Sequence, residues 1–106
     1  MCNVNGIMEV FEFSRKALES LGYRVVGGYA DCIIDTIRIA VLVVRGGGKE
    51  AVVVNEIMSN VLTNRWNHLN PAGPEAVISV VEVPADYRCE VADKTIACGE
   101  IKKNKE

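Results

Sequence analysis

The chain has 106 residues and a net charge of −2, and 49% of its residues are hydrophobic and 25% charged. These totals predict one small globular domain with a charged tail beginning near residue 103, and they leave no overall basic field for a nucleic-acid backbone. No apolar run approaches the roughly 20 residues that cross a bilayer, and the N-terminus lacks the pattern of a signal peptide, so we expect a cytoplasmic protein.

The hydrophobic pattern predicts a helix, three or four strands, a second helix and two or three further strands, for which we take the order α-β-β-β-α-β-β. Residues 7–21 have the spacing of an amphipathic helix that ends at Gly22 in a left-handed cap. Strands are predicted at 23–26 and 29–36, followed by a buried hairpin over 37–54 whose turn is the glycine run 46–48. A second helix begins at Asn55 and stops at Asn70-Pro71, and strands follow at 76–83 and near 95–101. We therefore predict an α/β (α+β) fold in which two helices pack on the faces of a mixed sheet.

The cysteines do not have the spacing of a metal cluster. The sequence contains one histidine, His68, and four cysteines, Cys2, Cys32, Cys89 and Cys98. None of the cysteines forms a C-x-x-C pair, so we expect no metal site and no cofactor. A two-residue turn at Asp93-Lys94 would place Cys89 opposite Cys98, close enough for a disulfide. Two free thiols are the alternative.

Three basic residues, Arg45, Lys49 and Arg65, are candidates for phosphate contacts. The nearby glycine run lacks the pattern of a phosphate-binding loop and is explained by a flexible turn. Solvated surface charge is the alternative for all three residues.

The segment LGYRVVGGYADCIID, with Asp31 and Asp35, resembles the opening of the Holliday-junction-resolvase and restriction-endonuclease-like superfamily. That superfamily holds its metal with an Asp and with a later Glu-x-Lys on the following strand. The later positions here are Val43, Val44 and Arg45. Without the second carboxylate and the lysine, a hydrolytic Mg²⁺ site is not expected.

A longer resemblance, over about residues 8–103, is to the C-terminal domain of the archaeal tRNA-splicing endonuclease. It is carried by LESLGYRVVGGYADCIID, EAVVV, NEIMSNVLTNRWNHLN, AVISVVE and TIACGEIKK, in that order. The resemblance implies a tRNA-intron endonuclease catalytic-domain-like fold. That family cleaves RNA without metal by using a Tyr, a His and a Lys. The places of the His and the Lys hold Gly47-Gly48-Lys49 and Gly73-Pro74-Glu75, which supply neither a general base nor a cationic stabiliser of that kind.

The resemblance also implies contacts between subunits. In that family an acidic loop enters a basic pocket of another subunit, and last strands pair edge to edge. The corresponding loop is VEVPADYRCEVADK, with four carboxylates at Glu82, Asp86, Glu90 and Asp93. A solvated loop is the alternative. The corresponding last strand is TIACGEI, and the alternative is a strand confined to the sheet of one subunit.

Together these features lead to the hypothesis of a non-catalytic structural subunit of a heteromeric tRNA-splicing endonuclease. Such a subunit would position a catalytic partner subunit for cutting precursor tRNA, in a heterotetramer, and would contact RNA through the complex. One alternative is a catalytically degenerate resolvase-like domain that binds branched DNA or a nuclease partner. Another is a small homodimeric protein of unrelated role.

Overall fold

Seven elements make up the part of the chain that the computed structural model describes, residues 4–44, 51–87 and 95–96. They are α1 (Val4–Ser20), β1 (Arg24–Ile33), β2 (Thr36–Val44), β3 (Val53–Asn55), α2 (Glu56–Leu69), β4 (Glu75–Glu82) and β5 (Thr95–Ile96). The strands form one sheet in the order β3-β4-β2-β1-β5, in which β2 and β4 are parallel and the other neighbours antiparallel. The predicted α+β fold with a mixed sheet and two helices is confirmed.

The predicted hairpin over residues 37–54 is wrong. Its two apolar runs become β2 and β3, but β4 lies between them in the sheet and pairs with both. The physical reason lies in β2, whose residues from Ile39 to Val44 are all buried. A strand that is apolar on both faces is typical of the centre of a sheet with parallel neighbours, whereas a hairpin partner needs a tight turn to fix its register.

The first two predicted strands are one. β1 runs from Arg24 to Ile33 and pairs with β2 throughout, with a register shift between Val25 and Gly27. The glycine pair therefore marks a bulge within a strand rather than a turn between two strands.

Both helices pack on the same face of the sheet. Their buried side chains share one core with the strands, which contains Val10, Phe11, Leu18, Tyr23, Ala30, Ile37, Ile39, Val41, Val43, Leu62, Ala76, Ile78 and Val80. We predicted helices on the two faces, and the described residues place none on the second one. A smaller cluster lies on that second face and contains Ala40, Leu42, Val44, Val81 and Val83.

The end of α1 has the predicted glycine cap. Gly22 has a φ of 91°, its N–H donates to the carbonyl of Glu19 at 3.1 Å, and the N–H of Tyr23 donates to the carbonyl of Leu18 at 3.1 Å. These two bonds are the pair that defines a Schellman motif. Leu18 and Tyr23 are both buried in the shared core, so the cap also sets the direction in which the chain enters β1.

We expect Gly22→Ala to lower the free energy of unfolding by about 1 kcal/mol, because an L residue is strained at this φ. Apart from the adjoining residues, no atom of the described part of the chain would lie within 4 Å of an added Cβ at this position, so the effect would come from the backbone conformation. Urea denaturation followed by circular dichroism measures the change, and Gly22→Asn should recover part of it because asparagine tolerates the left-handed region. If the wild type, Gly22→Ala and Gly22→Asn were equally stable, the left-handed cap assigned to Gly22 would be contradicted.

The second helix begins and ends where predicted, and part of its predicted apolar stripe faces the sheet. The Asn55 side chain caps α2 by accepting from the N–H of Met58, and Asn70 is the C-cap. Of the residues that we placed on its apolar stripe, Leu62 is buried in the shared core and Met58 and Trp66 pack against that core. The other three, Ile57, Val61 and Leu69, are exposed. The residues that contact the edge of β4 include three polar ones, Ser59, Thr63 and Asn67.

These three side chains form hydrogen bonds with the backbone of β4, and we call them the polar ladder. The Ser59 hydroxyl accepts a hydrogen bond from the N–H of Val80. The Thr63 hydroxyl accepts from the N–H of Ile78 and donates to its carbonyl, and the Asn67 side-chain amide does the same with Ala76. All five distances lie between 2.8 and 3.1 Å. The spacings agree because four helical residues rise about 6.0 Å and two strand residues about 6.6 Å. The chain thus runs along one edge of β4, first as the strand β3 and then as the helix α2.

Candidate partner-binding surfaces

The loop after β4 presents one of its predicted acids to solvent. Residues 84–87 form a tight turn in which the N–H of Tyr87 donates to the carbonyl of Pro84 at 3.0 Å. Asp86 lies in this turn and is exposed, and Tyr87 beside it is exposed as well. An open carboxylate next to an open tyrosine is a combination suited to a protein partner, since tyrosine is enriched among the residues that dominate binding energy. Glu90 and Asp93 lie outside the described residues.

Glu82, the first of the four predicted acids, is in a different environment. It is the last residue of β4 and only 4% exposed, and its carboxylate accepts from Asn55 Nδ2 at 2.8 Å. The same Asn55 nitrogen lies 3.1 Å from the Tyr23 hydroxyl. Asn55 therefore connects the end of β4 and the start of β1 to the first turn of α2, which it also caps. In the folded chain the Glu82 side chain is therefore buried and bonded to Asn55, whereas Asp86 is exposed.

The last described strand lies at one end of the sheet. β5 pairs with β1 through Gly28 with Ile96 and Tyr29 with Thr95, and no described strand lies on its other side. A strand in this position bonds to its own sheet and can accept a further strand at its outer edge. Both interpretations of the last strand, within one subunit and between subunits, are compatible with this position.

The second face of the sheet carries a shallow groove of about 540 Å³. It is lined by Tyr29, Ala30, Asp31, Arg38, Ile39, Ala40, Val54, Val77, Ser79 and Val81. The Asp31 carboxylate accepts two hydrogen bonds from the Arg38 guanidinium, at 2.7 and 2.9 Å. These bonds raise the pKa of Arg38. Asp31 is thus engaged by a cation of its own chain.

The other predicted polar residues do not assemble into a reactive centre. Arg65 and His68 are exposed on α2, and Arg45 and Lys49 lie outside the described residues, so the structure does not bring the phosphate candidates together. Within residues 4–44, 51–87 and 95–96, no three His, Cys, Asp or Glu side chains are grouped as metal ligands would be.

Of the four cysteines, Cys32 is the one that lies within the described residues. Cys32 is exposed near the end of β1 and is not a free thiol. Cys89 and Cys98 lie outside the described ranges, and their disulfide stays a prediction.

Sequence reasoning missed the polar ladder and the Tyr23–Asn55–Glu82 contacts. The signal for the ladder was the occurrence of Ser, Thr and Asn at intervals of four residues along a predicted helix. Four helical residues rise about as far as two strand residues, so these side chains can reach every second residue of a strand. For Glu82, the signal was its place at the end of an apolar strand that pairs with the segment preceding Asn55, but that pairing is visible only once the strand order is known.

Comparisons of the chain with protein-family models, with curated proteins and with solved structures find no match. Among the helices of the described residues, neither has the length and apolar character needed to cross a membrane.

Proposed function

We propose that this chain is a non-catalytic structural subunit of a heteromeric tRNA-splicing endonuclease, which positions a catalytic partner subunit on precursor tRNA. The observation that carries the proposal is the order of elements with the last described strand at a sheet edge. A helix, a β1–β2 pair, a short strand, a second helix and an apolar strand follow one another along the segments on which the resemblance rests. The acidic loop after β4 is then available for one partner contact and the β5 edge for another.

The described side chains support a scaffold more than a catalyst. His68 is exposed on α2, Tyr23 is buried, and Tyr29 lies on the second face of the sheet. A general base and an acid must lie within hydrogen-bond reach of one substrate. A scaffold needs only a stable core, an open edge and a docking loop.

Co-expression with a candidate catalytic splicing subunit tests the proposal. Native mass spectrometry should give a complex of two copies of each chain, and the complex should cut a precursor tRNA that carries an intron, while neither chain alone does. An active catalytic subunit that never retains this chain would overturn the proposal. A chain that instead binds branched DNA by itself would favour the resolvase-like alternative.

We expect Asp86→Lys to weaken binding of the catalytic subunit at least about tenfold, because the new charge would oppose a basic pocket in a contact that excludes water. The turn should tolerate the change, since the Asp86 side chain is exposed and the turn's hydrogen bond uses only the backbone. Calorimetry or surface plasmon resonance with purified subunits measures the affinity.

Glu75→Lys is the matched control. Glu75 is exposed like Asp86 but lies at the opposite end of β4, and the substitution makes the same change of net charge. Equal loss of affinity in the two variants would indicate a general charge effect and argue against a docking role for this loop. Unchanged affinity in Asp86→Lys would remove Asp86 from the contact.

A further inference from the structure

The sulfur of Cys32 is in a disulfide bond, so its partner is one of the other three cysteines of the chain. These are Cys2, Cys89 and Cys98, and all three lie outside the described residues. The described elements next to each of them nevertheless limit how close to Cys32 it can come. The limit is useful because the two Cα atoms of a disulfide lie only about 4.4–6.8 Å apart.

Cys32 projects from the face of the sheet that carries the helices. Alternate residues of a strand share a face, and β1 has no register shift from Gly28 to its end. A Cβ at Gly28 would lie 3.3 Å from the ring of Phe11 in α1, and Ala30 belongs to the core that the helices share with the sheet. Cys32 is two residues after Ala30 and therefore lies on the same face as α1.

The direction of α1 relative to β1 follows from two contacts. At the C-terminal end of the helix, the N–H of Tyr23 donates to the carbonyl of Leu18, so this end lies at the start of β1. Closer to the N-terminal end, Phe11 lies beside Gly28, which is further along β1. The helix and the strand therefore run antiparallel, and the N-terminal end of α1 points toward the Cys32 end of β1.

The distances along the two elements agree. From Phe11 back to Val4, seven helical residues cover about 10 Å. From Gly28 to Cys32, four strand residues cover about 13 Å in the same direction. Cys2 is two residues before Val4, and two residues span at most about 7 Å. Cys2 can thus reach the level of Cys32 on the face from which Cys32 projects.

Cys98 is poorly placed to be the partner. β5 pairs with β1 first at Tyr29 and then at Gly28, so it runs away from Cys32. Cys98 is two residues beyond the last described residue of β5, and Gly28 is already about 13 Å from Cys32. Only a reversal of the chain within those two residues could bring Cys98 near disulfide distance.

Cys89 begins from the opposite end of the sheet. The N–H of Val83 donates to the carbonyl of Val43, whereas Cys32 pairs with Ile37, six residues or about 20 Å away along β2. The six residues from Val83 to Cys89 would have to be fully extended to cover 20 Å. Residues 84–87 form a tight turn, which prevents this extension. Cys89 is therefore much less well placed than Cys2.

We propose that the disulfide of Cys32 is with Cys2 and joins the segment before α1 to the end of β1. The two thiols lose two protons and two electrons when the S–S bond forms. A small-molecule disulfide such as oxidised glutathione accepts them by exchange and leaves as two thiols. This pairing leaves Cys89 and Cys98 for the disulfide predicted from the sequence. It does not rest on the proposed function, because it needs no partner subunit.

Tryptic mapping of the purified chain without reductant tests the proposal directly. Free thiols are first blocked with N-ethylmaleimide at acidic pH in denaturant, so that disulfides do not exchange. Trypsin places the four cysteines in four different peptides, residues 1–15, 25–38, 89–94 and 95–102. Mass spectrometry should find 1–15 linked to 25–38. Peptide 25–38 linked to either of the other two, or carrying a blocked Cys32, would overturn the proposal.

Urea denaturation of serine variants gives a second test. The bond would close a loop of about 30 residues and restrict the unfolded chain. Cys2→Ser and Cys32→Ser should each raise the equilibrium constant for unfolding at least about thirtyfold relative to the oxidised wild type. The double variant should lose no more than either single variant, because each removes the same bond.

The same proteins in reductant are the matched control. There no disulfide forms, so the wild type and both single variants should unfold with equilibrium constants within about twofold of one another. Additive losses in the double variant, or differences of the same size with and without reductant, would mean that the two cysteines act separately and would overturn the proposal. Circular dichroism before each titration checks that every variant is folded.

Discussion

Replacing Asn67 by alanine is expected to lower the free energy of unfolding by about 3 kcal/mol, because it leaves two buried backbone groups of β4 without partners. The Asn67 amide donates to the carbonyl of Ala76 at 2.8 Å and accepts from its N–H at 2.9 Å, and Ala76 is fully buried. Urea denaturation followed by circular dichroism measures the loss.

Asn64→Ala provides the control for this measurement. Asn64 lies on the same helix and is exposed, so both substitutions gain the same intrinsic helix propensity from alanine. The control should change the unfolding free energy by no more than about 0.5 kcal/mol. Hydrogen exchange locates the effect, since the amide of Ala76 should lose protection while that of Ile78, bonded by Thr63, keeps it. Similar losses in the Asn67 and Asn64 variants would contradict the role of the ladder.

The ladder also shows why one part of the fold could not be predicted from sequence. The apolar period located α2 to within a residue at both ends, because Asn55 and Asn70 are strong caps and Pro71 stops the helix. The same period identified only part of the contact side of the helix, since Met58, Leu62 and Trp66 pack against the core but the polar ladder was missed. It assumes that a helix meets the sheet by its apolar stripe, whereas α2 lies partly against a strand edge, where polar side chains satisfy the backbone.

The order of the strands in the sheet could not be predicted from sequence, for a related reason. Local patterns locate strands, and they located β2, β3 and β4, but pairing is a choice among partners that only tertiary packing decides. β2 is apolar on both faces and takes β4 as a parallel neighbour, and β3 moves to the far side of β4. Once β3 is there, Asn55 reaches Glu82, and an acid expected in a docking loop becomes part of the core. Of the acids predicted for that loop, Asp86 is the one that the described residues leave exposed.

The bulge in β1 leads to the last prediction, that Gly28→Ala will lower the free energy of unfolding by about 2 kcal/mol through overpacking. A Cβ at Gly28 would lie 2.8 Å from the carbonyl oxygen of Ala40 and 3.3 Å from the ring of Phe11. Phe11 is buried in the shared core and has little room to move. The Ala40 oxygen belongs to the neighbouring strand, so relief would require β1 and β2 to shift.

Gly73→Ala is the matched control, since the nearest atom to its added Cβ would be the Asn70 carbonyl oxygen at 3.8 Å, which is an ordinary contact. The control should leave stability within about 0.5 kcal/mol of wild type, and it shares any effect of alanine on the unfolded chain. A second test combines Gly28→Ala with Phe11→Leu. The smaller side chain relieves one of the two close contacts, so the double variant should lose less stability than the sum of the single changes. Additive losses, or a Gly28 variant as stable as the Gly73 control, would mean that α1 does not press against β1 at this position.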